Sequence, residues 1–154
     1  DKQKAALKFL DEQVLHEPTW LRDMSYARRL AADPTELTKK VGTYAVTLMM
    51  GRLDYMNELY SPQAYLTDLT GLVFAEARTG EKVSPYRQAL QNEMLTHLCR
   101  ARGNGNSDIQ PAVLYTLQQL QTLTKRASQT ARNAESRAHW AYIYDQIGRE
   151  LTWK

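Results

Sequence analysis

Hydrophobic positions recur at helical spacing along nearly the whole chain, and prolines preceded by capping residues mark where helices begin. Three sites combine a cap residue with proline at the first helical position: Asp33-Pro34, Ser61-Pro62 and Ser84-Pro85. Apolar residues follow each of them at intervals of three and four, and no stretch alternates with the period of two of a strand. The pattern predicts an all-α bundle of six to seven helices with short connections, forming a single helical domain over residues 1–154.

Three of these helices are predicted in the first 60 residues. They cover roughly 2–16, a short segment over 20–30, and a long helix over 34–60. Two glycines inside the long helix, Gly42 and Gly51, predict close helix packing at those points. The predicted core positions of the long helix are Leu37, Val41, Tyr44, Leu48, Met49, Met50, Met56 and Leu59.

Four more helices are predicted in the rest of the chain. One covers roughly 62–79 and is closed by Thr79-Gly80, and the next runs from 85 to 103. After a flexible loop over 103–108, a third helix uses Asp108 as its cap, and the last begins near Ala134. Their predicted core positions are Tyr65, Leu66, Leu69, Leu72, Val73, Phe74, Leu90, Met94, Leu98, Val113, Leu114, Leu117, Leu120, Leu123, Ala138, Ala141, Tyr144, Ile147 and Leu151.

Charge is distributed unevenly between the two halves. Residues 1–77 carry nine basic and eleven acidic side chains, a balance of −2, whereas residues 78–154 carry eleven and six, a balance of +5. A nucleic-acid interface needs its basic groups aligned on one face with aromatic side chains among them, and these are scattered. We therefore interpret the excess as a solvated basic face and expect no nucleic-acid partner. The excess centres on Arg100, Arg102, Lys125, Arg126, Arg132 and Arg137.

Histidine and cysteine are scarce, which limits catalytic and metal chemistry. The chain has three histidines and one cysteine, Cys99, which we interpret as a buried, inert thiol. The His-Glu-x-x-His zinc motif, a phosphate-binding glycine loop and a serine nucleophile elbow are all absent from the sequence. We therefore assign no catalytic, cofactor-binding or metal-binding residue in this chain.

Each histidine follows a glutamate by four residues, in the pairs Glu12/His16, Glu93/His97 and Glu135/His139. This spacing places both side chains on one helix face. We interpret the pairs as local contacts, with a metal-binding bundle as the alternative, because the di-iron motif uses a spacing of three.

Tyrosine is abundant, and three tyrosines cluster around the predicted boundary between two helices. Tyr55, Tyr60 and Tyr65 lie within eleven residues of one another. Amphipathic tyrosines at helix margins are common boundary residues of a core, and a ligand groove is the alternative. A pocket lined by tyrosine and tryptophan would favour the groove.

A series of short motifs extends in order over nearly the whole chain. The motifs are Ala6-x-x-Phe9-Leu10, Gln13-Val14, Pro18-x-Trp20-Leu21, Arg52-Leu53, Tyr60-Ser61-Pro62, Leu66-x-Asp68-Leu69, Val73-Phe74-x-Glu76, Tyr86-Arg87-x-x-Leu90-Gln91, Ser107-Asp108-Ile109 and Asp145-Gln146-Ile147. Their order resembles the C-terminal helical domain of a family of bacterial zinc-dependent metalloproteases of metzincin-like type. Phe-Leu followed by Pro-x-Trp-Leu is the most specific part of this resemblance.

This resemblance implies a non-catalytic C-terminal portion of a larger multidomain hydrolase. In such proteases the zinc and its His-Glu-x-x-His site lie in an upstream peptidase domain, so no catalytic residue carries over. The upstream domain of the same chain is the implied partner, with a protein or peptide substrate beside it. The implied location is periplasmic, outer-membrane-associated or secreted. A start at Asp1 fits this expectation. The sequence contains no run of about 18 apolar residues, so it predicts no membrane span. A free-standing helical module that binds a peptide or small ligand is the alternative.

Overall fold

The computed structural model describes residues 46, 47, 49–51, 53, 61–104 and 109–152. These residues form five helices, α1 (Pro62–Val73), α2 (Ala75–Thr79), α3 (Pro85–Asn104), α4 (Gln110–Thr130) and α5 (Ala134–Thr152). Residues 46, 47 and 49–51 are also helical, and no described residue belongs to a strand. The prediction of an all-α bundle is therefore confirmed. The predictions for the first two helices, and for most of the long third one, lie outside the described residues.

Helix α4 is the centre of the bundle, because α1, α2, α3 and α5 all pack against it, α5 most extensively. The core contains Leu66 and Leu69 of α1, Leu117 of α4 and Trp140 of α5, all fully buried. Met49 and Met50 are also buried, as their apolar stripe predicts. No helix in the described part of the chain is long and apolar enough to cross a membrane.

Capping residues set the ends of α1, α2 and α3 as the sequence predicts. Ser61 Oγ accepts a hydrogen bond from the backbone N–H of Ala64 at 3.2 Å. Ser84 Oγ accepts one from the N–H of Arg87, also at 3.2 Å. Gly80 closes α2 in the left-handed region, with φ of 78°, which a glycine adopts without strain.

The segment predicted as one helix over 62–79 is two helices, with a break at Phe74. Phe74 has φ of −105° and ψ of 27°, and the N–H of Ala77 bonds the carbonyl of Phe74 at 3.0 Å. This shorter bonding pattern leaves the carbonyl of Val73 without its helical donor. Side chains of α3 supply donors to it, so the break is a tertiary feature.

The predicted core stripe of α5 is partly wrong. Ile147 is buried, but Ala138 and Ala141 are exposed. The buried face instead passes through Trp140 and Ile143. Apolar side chains lie on more than one face of α5. Because α4 packs against only one of these faces, the sequence pattern alone does not show which face is buried.

Three local expectations also differ from the structure. Leu114 is exposed instead of lying in the core. The N-cap position of α4 is Ile109, with no side-chain cap bond, instead of Asp108. Gly51 is exposed, and a Cβ added there meets no described residue within 4 Å, so the described part of the chain shows no close helix packing at this glycine. Gly42 and the loop over 105–108 lie outside the described residues.

Candidate functional site

A buried ion pair joins the α1–α2 break to α3. Arg87 Nε donates to Glu76 Oε2 at 3.0 Å and Arg87 Nη2 donates to Glu76 Oε1 at 2.9 Å. The same Nη2 donates to the carbonyls of Leu72 at 2.8 Å and Val73 at 2.9 Å. Both residues are more than nine-tenths buried. Arg87 therefore neutralises a buried carboxylate and also caps the C-terminal end of α1.

Gln91 and His139 extend this network to α5. Gln91 Nε2 donates to the carbonyl of Val73 at 3.0 Å and to Glu76 Oε1 at 3.3 Å. Its Oε1 lies 2.6 Å from His139 Nε2. Since this amide oxygen only accepts, the network places a proton on Nε2 of His139. Burial lowers the pKa of His139, against the smaller opposite effect of the Glu76 carboxylate.

This environment predicts a pH-dependent contribution of His139 to stability. An unfolded histidine titrates near pH ~6.5, and the folded pKa is lower, so between the two values the unfolded chain binds more protons. Stability from this group is therefore present above about pH 6.5 and is lost as the pH falls towards the folded pKa. We expect the free energy of unfolding in urea to fall more from pH 8 to pH 5 in the wild type than in His139→Gln. Parallel profiles for wild type and His139→Gln would contradict the assignment.

Glu93, His97 and Thr47 form a second, half-buried cluster. His97 Nε2 lies 3.0 Å from Glu93 Oε1 and 3.0 Å from Thr47 Oγ1, and the threonine hydroxyl donates to Glu93 Oε1 at 3.2 Å. In a hydrolytic triad the nucleophile and the acid bind opposite ring nitrogens. Here both meet the same nitrogen, which carries the proton that Glu93 accepts. These hydrogen bonds therefore join the helical residue Thr47 to α3. The three described side chains do not form the acid–histidine–nucleophile relay that would activate a nucleophile.

The three Glu–His pairs have different outcomes. Glu93 and His97 do contact each other, as the spacing predicts. In the third pair Glu135 is exposed, and His139 bonds Gln91 of another helix instead. Glu12 and His16 lie outside the described residues. Among the described side chains, no three His, Cys, Asp or Glu residues are grouped so that they could hold a metal ion.

Cys99 is half-buried on α3. Burial raises its pKa to about 11, with a further increase from the Glu150 carboxylate and a smaller decrease from Arg102. This agrees in direction with the interpretation of an inert thiol, although the side chain is less buried than expected.

The raised pKa of Cys99 predicts slow thiol chemistry. From the ordinary value of 9.0 to about 11, the thiolate fraction at pH 8 falls roughly a hundredfold. We expect the native protein to react with a disulfide reagent at least about tenfold more slowly than the same protein unfolded in concentrated urea. Equal rates in the two states would contradict this expectation.

An open cleft of about 290 Å³ lies between α1, α2 and α4, and we call it the α1–α4 cleft. Its floor includes Leu120 and Leu123, and its polar rim includes Tyr115 and the guanidinium groups of Arg78 and Arg126. Both arginines are exposed. No carboxylate in the described part of the chain pairs with either of them. The full lining is Thr67, Thr70, Arg78, Tyr115, Thr116, Gln119, Leu120, Thr122, Leu123 and Arg126.

A second, shallower cleft of about 500 Å³ separates α3 from α5. Unlike the arginines of the α1–α4 cleft, two of its charged residues, Arg149 and Glu150, already form ion pairs. Arg149 Nε lies 3.1 Å from Asp145 Oδ2, and Glu150 Oε1 lies 3.2 Å from Arg102 Nη1. Arg100 also lines this cleft, and no described carboxylate pairs with it. The cleft therefore offers one unpaired arginine, whereas the α1–α4 cleft offers two.

The tyrosine groove does not form around Tyr65. This side chain is fully buried, and its hydroxyl donates to the carbonyl of Met49 at 3.1 Å. Tyr55 and Tyr60 lie outside the described residues. Among the residues that the structure describes, the exposed tyrosines are Tyr115 and Tyr142, one in each cleft. Their exposure follows from which helix faces α4 and α5 bury against each other, which the tyrosine count does not reveal.

The basic residues of the second half also divide into two groups. Arg102 donates to the backbone and side chain of Glu150, and Arg137 donates to the carbonyl of Ala131 at 2.7 Å. Arg100, Lys125, Arg126 and Arg132 are exposed. The predicted solvated basic face is therefore narrower than the sequence suggests. Sequence reasoning missed Arg78, because it stands alone among acidic and apolar neighbours in the chain.

In comparisons with known proteins, no family model, curated protein or solved structure matched this chain.

Proposed function

We propose that this chain is a non-catalytic helical domain that packs against and supports a zinc peptidase domain located upstream in the same protein. The observation that carries the proposal is the position of the motif residues behind the metalloprotease resemblance. Glu76, Arg87 and Gln91 come from two separate motifs, and they meet in the buried network between α1, α2 and α3. A buried network whose polar groups bond one another holds the helices together and is closed to a substrate, as expected of a supporting domain.

The role of such a domain is steric and structural. It forms part of the wall beside the peptidase cleft, stabilises the peptidase domain, or contacts the protein substrate. In the described part of the chain, Leu114 and Tyr115 are adjacent exposed hydrophobic residues on α4. They are the first candidates for a contact with another domain, because exposed apolar groups rimmed by polar residues are typical of interaction sites.

The upstream coding sequence of the native gene is the most direct test. The proposal expects a His-Glu-x-x-His motif there. It also expects that the peptidase loses activity or resistance to proteolysis when residues 1–154 are deleted. A Leu114→Ser variant is expected to weaken copurification of the two separately expressed parts, with Tyr142→Ser as the matched control. An unrelated upstream domain, or an unchanged peptidase after the deletion, would refute the proposal.

A free-standing binding module for a peptide or small ligand is the second candidate. The α1–α4 cleft favours it, since the cleft combines an apolar floor with a polar rim of free hydrogen-bond donors. Ligand binding by the isolated chain, together with an upstream sequence that encodes no peptidase, would favour this candidate over the first.

A further inference from the structure

We propose that the α1–α4 cleft is a binding site for an acidic peptide segment in extended conformation, held by Arg78 and Arg126. This deepens the second candidate above, on which it rests, by naming the class of its ligand. The cleft is open to solvent in the folded chain, and described residues line it.

The charge of the cleft selects a negatively charged ligand. Arg78 and Arg126 present two guanidinium groups without a carboxylate partner among the described residues. Each guanidinium can bind one carboxylate through two parallel hydrogen bonds. The guanidinium of Arg78 lies beside Gly71 of α1, with Nη1 3.8 Å from the point where a Cβ on that glycine would stand.

The surroundings of the cleft are close to charge balance, so the selection rests on the two arginines. The backbone N–H of Arg132 bonds the carbonyl of Gly80 at 3.4 Å, which brings the α4–α5 loop to the end of α2. The other exposed charged residues on or next to α1, α2 and α4 are Lys82, Lys125 and Arg132, against Asp68, Glu81 and Glu135. The positive potential at the cleft therefore comes from Arg78 and Arg126.

The shape of the cleft favours a peptide over a small anion. Tyr115, Gln119, Thr122 and Arg126 follow one another along a single face of α4. At 1.5 Å per residue, this row is roughly 16 Å long, which matches about five residues of extended chain. The tyrosine ring and the leucine floor supply apolar contacts that a peptide uses and an inorganic ion does not.

The donors of the cleft favour carboxylate over phosphate. Its lining residues on α4 all lie inside the helix, between Gln110 and Thr130. Their backbone N–H groups are used in the helical ladder, so the cleft lacks the free amides that cradle phosphate at helix N-termini and glycine-rich loops. The remaining donors belong to side chains, above all the two arginines.

The test uses the full chain, labelled with ¹⁵N, and the blocked peptide acetyl-Glu-Leu-Glu-Leu-Glu-amide as probe. We expect chemical-shift changes at Tyr115, Gln119 and the two arginines. We also expect binding at least about tenfold weaker in the Arg78→Gln/Arg126→Gln double variant. The matched control is Arg100→Gln/Arg149→Gln, which removes the same charge from the α3–α5 cleft and is expected to bind within about twofold of wild type.

Four further probes and one comparison of variants can overturn the proposal. A glutamine-for-glutamate peptide that binds equally well would refute acidic specificity while leaving the binding module of the second candidate intact. Free glutarate or inorganic phosphate binding as tightly as the peptide would refute peptide recognition. A single-stranded oligonucleotide binding more tightly through the same two arginines would assign the cleft to nucleic acid. If both double variants lost the same peptide affinity, the binding would be explained by unspecific charge attraction, and the proposal would be refuted.

Discussion

Replacing Arg87 by leucine is expected to lower the free energy of unfolding by about 3–5 kcal/mol, because it leaves the buried carboxylate of Glu76 without its cation. The same change removes the Arg87 donor to the carbonyls of Leu72 and Val73. The carbonyl of Val73 keeps the hydrogen bond from Gln91. The carbonyl of Leu72 has no such second side-chain donor among the described residues. Urea unfolding followed by circular dichroism measures the loss, and the melting temperature is expected to fall by roughly 10 °C.

Two companion variants separate the ion pair from general effects of substitution. Arg100→Leu makes the same change at an exposed position of the same helix and is expected to stay within about 0.5 kcal/mol of wild type. The double variant Glu76→Leu/Arg87→Leu is expected to lose less than the sum of the two single variants, since neither charge is then left alone. An Arg87→Leu protein as stable as Arg100→Leu would show that the network does not hold the helices together.

Replacing Trp140 by alanine is expected to cost about 3–5 kcal/mol, the range for removing a large aromatic side chain from a core. Trp140 is fully buried, and its ring lies 6.3 Å from Phe74 and 4.8 Å from His139 between centroids. It therefore joins α5 to the α1–α2 break and to the polar network at one point. The loss is measured as the change in the free energy of unfolding in urea.

Trp140→Phe is the informative companion of this variant. The buried Nε1 of Trp140 has no hydrogen-bond acceptor among the described residues. Phenylalanine keeps most of the apolar ring and removes a buried donor that contributes no bond, so its cost is expected to be only about 1 kcal/mol. Tyr142→Ala, two positions along the same helix and exposed, is the control and is expected to be nearly neutral. A phenylalanine variant as unstable as the alanine variant would contradict this account.

Helix positions follow from the sequence wherever local chemistry decides them. Ser61, Ser84 and Gly80 have the predicted capping roles, because a cap bond joins residues three apart and a left-handed residue needs no partner elsewhere. The break at Phe74 is not local. It depends on Arg87 reaching back from the next helix to the carbonyl groups that the break leaves free.

The candidate sites were less accessible to sequence reasoning than the helices. The spacing predicts the contact between Glu93 and His97, because both lie on one helix face. The partner of His139 is Gln91, 48 residues away along the chain, and no periodicity connects the two. Likewise Arg78 and Arg126 belong to different helices, and only the packing of α2 and α4 brings them to one cleft.

The sequence by itself determined the all-α class and most helix boundaries of the described chain, since helical periodicity and capping act over a few residues. Only the tertiary structure decided which face of α5 is buried, which charges are paired, and which arginines and tyrosine face the open cleft. The physical reason is that burial and pairing depend on a helix's neighbours. Trp140 and Ala141 are adjacent in the chain, yet one is fully buried and the other exposed.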